Sequence, residues 1–154
     1  MEMDMTPDDP IQAAGRRRRE LYQAMLDLEH SLQSPAATPT WRSTLFTELH
    51  DLSAALEDHI ATVEGSEGII EHAVEVSPRT EVRAARLRED HPVLRKKVQD
   101  AINRVQELGP DLTEDVVVDL RDEVVGLLIG LHRHRQQGSD FVWEAYDVDI
   151  GGVG

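Results

Sequence analysis

The chain has 154 residues, enough for one domain with a hydrophobic core of its own. It contains no cysteine, which excludes disulfides, thiolate zinc sites, iron–sulfur clusters and cysteine nucleophiles, and leaves imidazole and carboxylate as the ligands for any metal. Its 30 acidic residues against 16 basic ones give a net charge of −14, which opposes a phosphate backbone or an anionic membrane, so neither nucleic acid nor membrane is expected as a partner.

Residues 1–10 contain Thr6-Pro7-Asp8-Asp9-Pro10 and almost no apolar content, and read as a disordered leader that ends in a helix start. They have neither the positive end nor the apolar run of a secretory signal. No later stretch approaches the roughly 18 apolar residues of a membrane span, so the expectation is a soluble, cytoplasmic protein. The basic cluster Arg16, Arg17, Arg18 and Arg19 has no aromatic interleaved and reads as a solvated helix end.

From Ile11 onward, Leu21, Met25, Leu28 and Leu32 recur at helical spacing until Pro35-Ala36-Ala37-Thr38-Pro39 stops the pattern. Thr40 or Trp41 opens a second helix whose stripe is Leu45, Leu49, Leu52, Leu56, His59 and Val63. Gly65 and Gly68 are its potential interruptions; Ile69-Ile70 and Ala73-Val74 are still helix-compatible, and the firm stop is Ser77-Pro78. A third helix is predicted from about Arg79 to Leu108, with Leu87, His91, Leu94, Val98, Ala101 or Ile102, and Val105 inward; Pro92 within it implies a local kink, a break or a nearby helix start. Gly109-Pro110-Asp111 closes that helix, and Thr113 followed by Glu114 and Asp115 opens the last one. Its stripe is Val117, Leu120, Val124, Leu127, Leu131 and His134; Gly138 weakens it, Phe141, Val142 and Ala145 continue it, and residues 148–154 form a flexible tail. Four long helices, three short turns and no strand pattern predict an all-α protein, an up-down-up-down antiparallel four-helix bundle over residues 11–147.

His59, His91 and His134 each stand where a plain bundle would carry leucine. At about 1.5 Å per residue counted from each turn, His59 and His91 differ in height by roughly 9 Å and His91 and His134 by about 6 Å, one broad layer. His30 falls roughly 20 Å from that layer, and the first-helix residue at the proper height is nearer Glu20. His50, His72 and His132 lie off the stripes and read as surface residues. A single inward histidine is more often a hydrogen-bonded core residue than a ligand, whereas three at one height point to a metal.

The segments Leu56-Glu57-Asp58-His59-Ile60-Ala61-Thr62-Val63-Glu64-Gly65, Leu87-Arg88-Glu89-Asp90-His91-Pro92-Val93-Leu94 and Leu131-His132-Arg133-His134-Arg135-Gln136-Gln137-Gly138-Ser139-Asp140 resemble the hemerythrin-like (HHE cation-binding) domain family, over most of residues 15–147. The resemblance implies a four-helix bundle holding non-haem iron, in the family a di-iron centre, with His59, His91 and His134 as the histidines of the second, third and fourth helices. Glu64 stands one position beyond the family's bridging glutamate, and Asp140 one position beyond its fourth-helix carboxylate; Gly65 and Gly138 are the residues that could absorb those offsets.

The expected function is therefore a metal-binding protein, not an enzyme, that binds or senses dioxygen or a related small diatomic ligand, with His59, Glu64, His91, His134 and Asp140 as metal residues. The alternative is a metal-free interaction or regulatory bundle whose acidic surface recruits a basic protein partner. A di-iron oxidase or peroxidase ranks last, because no pair of Glu-x-x-His motifs occurs in that class's spacing.

Overall fold

A computed structural model describes residues 9–147. The leader expected over residues 1–10 falls mainly, and the tail over 148–154 wholly, outside the described residues. Those described are helical, with no strand among them, in the order α1 (Pro10–Gln33), α2 (Trp41–Glu64), α3 (Ile69–Val76), a 3-10 turn (Pro78–Thr80), α4 (Glu81–Gln106) and α5 (Glu114–Tyr146).

Local chemistry sets the ends. The Asp9 carboxylate accepts the Gln12 amide proton at 2.8 Å, and Pro10 occupies the first helical turn, where its missing N–H costs nothing. Trp41 opens α2 buried, its Nε1–H donating to the Ser31 carbonyl at 3.1 Å, which fixes the turn out of α1. Thr113 caps α5 by accepting from the Val116 amide. Arginines close two of the carboxyl ends: Arg42 of α2 donates to the carbonyls of Leu108 and Gly109 just past α4, and Arg121 of α5 donates to those of Leu32 and Ser34 at the end of α1.

The second predicted helix divides. α2 stops at Glu64, the chain turns through residues 65–68, and Ile69–Val76 forms a separate short helix. The turn is tight enough that a Cβ on Gly68 would sit 2.5 Å from the Val63 carbonyl oxygen and 2.6 Å from that of Thr62. Pro92 and Gly138, by contrast, end nothing: α4 runs unbroken from Glu81 to Gln106, and α5 from Glu114 to Tyr146. The tertiary context outweighs the local penalty at both positions.

Successive long helices pack on one another, α1 on α2, α2 on α4 and α4 on α5, while α3 touches all four. The leucine stripes of the long helices meet in one large apolar cluster, with Leu21, Met25, Leu28, Leu45, Leu49, Leu52, Leu120 and Leu131 fully buried. Each such side chain contributes on the order of 2 kcal/mol relative to exposure. A second, smaller cluster gathers Ala14, Val63, Leu87, Phe141 and Val142 under Ile69, Ile70 and Ala73 of α3. Between the two clusters lies a polar layer. On α2 it falls between Leu56 and Val63, on α4 between Leu87 and Leu94, and on α5 between Leu131 and Phe141. His59, His91 and His134 occupy those three places.

Candidate metal centre

The break after Glu64 removes the height mismatch that uninterrupted counting gives, because residues 65–80 turn and cross rather than extend the helices on either side. One ring nitrogen from each of His59, His91 and His134 lies within 4.8 Å of the other two. The His91 and His134 rings are 4.8 Å apart by centroid and nearly perpendicular, and His59 stands 5.6 Å from each. Nε2 of His91 faces Nε2 of His134 at 3.1 Å. His91 is 1 % and His134 4 % exposed; His59 is partly buried, but its Nδ1 is enclosed and has no hydrogen-bond partner.

Each facing histidine is held from behind by a carboxylate. Oε2 of Glu64 lies 3.0 Å from Nδ1 of His91, and Oδ2 of Asp90 lies 3.1 Å from Nδ1 of His134. A carboxylate at Nδ1 selects the tautomer that carries its proton there, which leaves Nε2 bare. Only the Asp90 contact has hydrogen-bond geometry, so it turns the bare Nε2 of His134 toward His91; the Glu64 oxygen stands near Nδ1 of His91 as a negative charge without a hydrogen bond, and the two Nε2 atoms face each other across 3.1 Å.

Burial sets the protonation. It pushes the His59 imidazole down to about 3, aided by the neighbouring His134, His91, Arg135 and Arg18. His91 is lowered by burial and by His134, against the opposing pull of Glu64 and Asp90, and His134 by burial against Asp90 and Glu64. All three imidazoles are thus held neutral at neutral pH, the form that binds metals.

Two arginines line the same space. Arg18 of α1 and Arg135 of α5, each 4 % exposed, border a cavity of about 40 Å³ together with the three histidines and Phe141. The Arg135 guanidinium also lies over the Tyr22 ring, 4.0 Å from its centroid. Burial and the nearby Arg18 lower Arg135 to about 10, which leaves it cationic. Reading residues 16–19 as a solvated helix end therefore fails for Arg18. The signal was present, since Ala14, Arg18, Leu21 and Met25 follow one helical stripe, as Leu128, Leu131, Arg135 and Val142 do on α5. A run of four arginines masked the first, and the adjacent His134 drew attention from the second.

The two expected carboxylate ligands part company. Glu64, the last residue of α2, reaches the histidines, but at the far nitrogen of His91 rather than among the converging ones. Asp140 is exposed, accepts from Gln136 Nε2 at 2.9 Å, and is not part of the cluster. It lies six residues beyond His134 on an unbroken helix, and Gly138 introduces no distortion that would turn it inward. Glu20 pairs with Arg17 at 2.9 Å, and His30, His50, His72 and His132 are exposed. The donor set is three imidazoles backed by two carboxylates, and it suits a single zinc, iron, cobalt, nickel or copper ion better than a carboxylate-bridged pair.

No family model matches this chain, and neither the curated proteins nor the solved structures contain a significant match.

Proposed function

We propose that this chain is a metal-binding protein in which His59, His91 and His134 hold one first-row transition-metal ion between the helices. The observation that carries the reading is the convergence of one ring nitrogen from each of the three histidines within 4.8 Å, with Nε2 of His91 and of His134 facing at 3.1 Å and a carboxylate about 3 Å behind each of those two rings. Such carboxylate–histidine pairs orient ligands and raise their basicity at metal centres. The four long helices are read as an up-down-up-down antiparallel bundle, supported by the packing of each on its successor. Together with the three histidine segments, this favours a divergent hemerythrin-like scaffold, with iron as the metal that the resemblance suggests and one ion in place of two.

An ion held by three protein nitrogens keeps coordination positions open, and so supplies a site for a small ligand such as dioxygen or a related molecule. This chain's own residues do the rest. Asp90 keeps the Nδ1 proton of His134 in place, Glu64 stands as a charge beside His91, and Val63, Ile69, Leu87 and Phe141 give the cavity an apolar wall that limits water. Its volume of about 40 Å³ has room for a small molecule beside the histidines, which supports a small-ligand binding or sensing role.

The test is metal uptake by the chelator-stripped chain. One equivalent of Co²⁺ or Fe²⁺ per chain, lost in His134→Ala while the helical circular dichroism is retained, is the expected result. Failure of the wild-type chain to take up Co²⁺, Fe²⁺ or Zn²⁺ would overturn the reading in favour of a metal-free bundle.

A further inference from the structure

The cavity beside the histidines owes its shape to a missing side chain. Along α5, Leu120, Val124, Leu127, Leu131, His134, Gly138 and Phe141 follow one another by alternating steps of four and three, the spacing of a single inward stripe. The others are 0 % to 4 % exposed, whereas Gly138 is partly exposed although it lies between His134 and Phe141 on that stripe. It also lines the histidine cavity. A Cβ at this position would meet no neighbouring atom within 4 Å, so close packing does not call for glycine here, unlike at Gly130, where a Cβ would come 3.5 Å from Leu94 Cδ2. Backbone conformation does not call for it either, since position 138 is ordinary helix without a positive φ. Glycine inside a helix is disfavoured relative to alanine, so a glycine that neither packing nor backbone requires lowers the stability of α5 and leaves open space on its inward face.

We propose that Gly138 holds the ligand position of the metal centre open and sets the size of what can enter it. A side chain on a helix leans toward the N-terminal turn, so any residue larger than glycine at 138 would project toward His134, one turn earlier on the same face. The mouth lies on the same side. An outer groove is lined by Gln137 and Asp140, which flank Gly138 on α5, and by Arg83, Arg86 and Leu87 of α4, and Leu87 belongs to the cavity wall as well. Leu87 is 5 % exposed and borders both spaces, so the path inward runs between its side chain and the bare backbone at 138. Beyond it the walls are Val63, Ile69, Phe141 and Val142, an apolar lining that suits a neutral diatomic molecule. The inference rests on the metal reading for where the ligand ends, while the open space at Gly138 does not depend on it.

Stopped-flow mixing of the anaerobic Fe²⁺-loaded chain with nitric oxide reads entry from the iron–nitrosyl absorbance, in wild type, Gly138→Ala, Gly138→Val and Gly126→Ala. Gly126 is the control, interior to the same helix and equally open around a Cβ, but exposed and not part of the cavity wall. The association rate should fall several-fold in Gly138→Ala and by about tenfold or more in Gly138→Val, and stay at the wild-type value in Gly126→Ala. Both alanine variants should melt at a higher temperature than wild type. A nitric oxide rate in Gly138→Val equal to that of wild type would overturn the proposal. Should wild type or Gly138→Val take up no Fe²⁺, dissolved dioxygen is the probe. Its paramagnetic enhancement of proton relaxation in the chelator-stripped chain should be larger at Leu87 and Phe141 than at the fully buried Leu49, and should drop to the Leu49 level in Gly138→Val. For a wild type that takes up no Fe²⁺, that outcome keeps the role of Gly138 in the cavity and removes the metal reading. Equal enhancement at Leu87, Phe141 and Leu49 in wild type would overturn the proposal itself.

Discussion

Glu64→Gln and Asp90→Asn separate a metal centre from a cluster of core histidines. Each replacement keeps the shape of the side chain and an oxygen beside the histidine, but removes the negative charge 3.0 Å from Nδ1 of His91 or 3.1 Å from Nδ1 of His134. A neutral acceptor makes the opposite Nε2 a weaker ligand and no longer selects its tautomer. Loss of such a partner lowers metal affinity by about 10- to 100-fold, or roughly 1.4 to 2.7 kcal/mol. The two rings face each other at 3.1 Å and would share one ion, so the double variant should depart from the product of the single losses, and a double-mutant cycle reads that coupling. Stability should hardly move, because the Glu64 and Asp90 side chains are 31 % and 39 % exposed, and an ion pair at such a place is worth at most about 1 kcal/mol. Glu29→Gln is the control. It alters a carboxylate–histidine pair of the same kind, 2.7 Å from His132, but on the surface and outside the cluster, and metal affinity should stay unchanged. Competition for Co²⁺ against a chromophoric chelator reads the affinities, and urea denaturation of the stripped chains reads the stabilities. Affinities within about twofold of wild type for both site variants would refute the argument from tautomers.

Three further outcomes follow from the same geometry. His59→Leu removes a ring whose enclosed Nδ1 has no hydrogen-bond partner, so the metal-free protein should gain on the order of 1 to 2 kcal/mol in urea denaturation while losing metal uptake; a destabilised variant would show that His59 is a satisfied core residue. Because the folded-state values of His59, His91 and His134 all lie below the ordinary 6.5, the unfolded chain binds more protons below that pH; metal-free stability should fall on acidification from pH 6.5, by at most about 1.4 kcal/mol per pH unit per histidine. His59→Leu should flatten that slope, and an identical slope between pH 6 and 4 would contradict the assignment. Gly68→Ala places a methyl group 2.5 Å from the Val63 carbonyl oxygen, so a loss of about 1 to 3 kcal/mol is expected, read as a lower melting temperature; an unchanged value would mean that the turn between α2 and α3 yields at no cost.

The helices and their inward faces were legible because apolar periodicity encodes them directly: Leu45, Leu49, Leu52 and Leu56 are all buried, as are Val117, Leu120, Val124, Leu127 and Leu131. The three histidines were legible for the same reason, as interruptions of that periodicity. What escaped was governed by geometry across the chain rather than along it. The exact path through residues 65–80, which brings α2 and α4 into register at His59 and His91, depends on how closely Gly68 approaches two backbone carbonyls. Asp90 was unremarkable because it sits beside His91 in sequence, yet it serves His134 on another helix. Arg18 and Arg135 follow apolar stripes, but a stripe does not say that two such residues meet at one cavity.

A proton and a metal ion are the two ways to relieve the facing nitrogens, and the surroundings weigh against the proton. One proton shared between Nε2 of His91 and Nε2 of His134 would satisfy both, but it requires an imidazolium at neutral pH in a layer where burial drives all three rings toward the neutral form. At His59, burial first and then His134, His91, Arg135 and Arg18 lower the imidazole to about 3, which shows how strongly this layer disfavours a charged ring. Under the metal reading, bonds from three neutral imidazoles to one ion are what offset that opposition, an offset that a proton shared by two rings does not have. A layer of three histidines between two apolar clusters is a costly thing to keep in a core, and under the metal reading the bound ion is what offsets that cost.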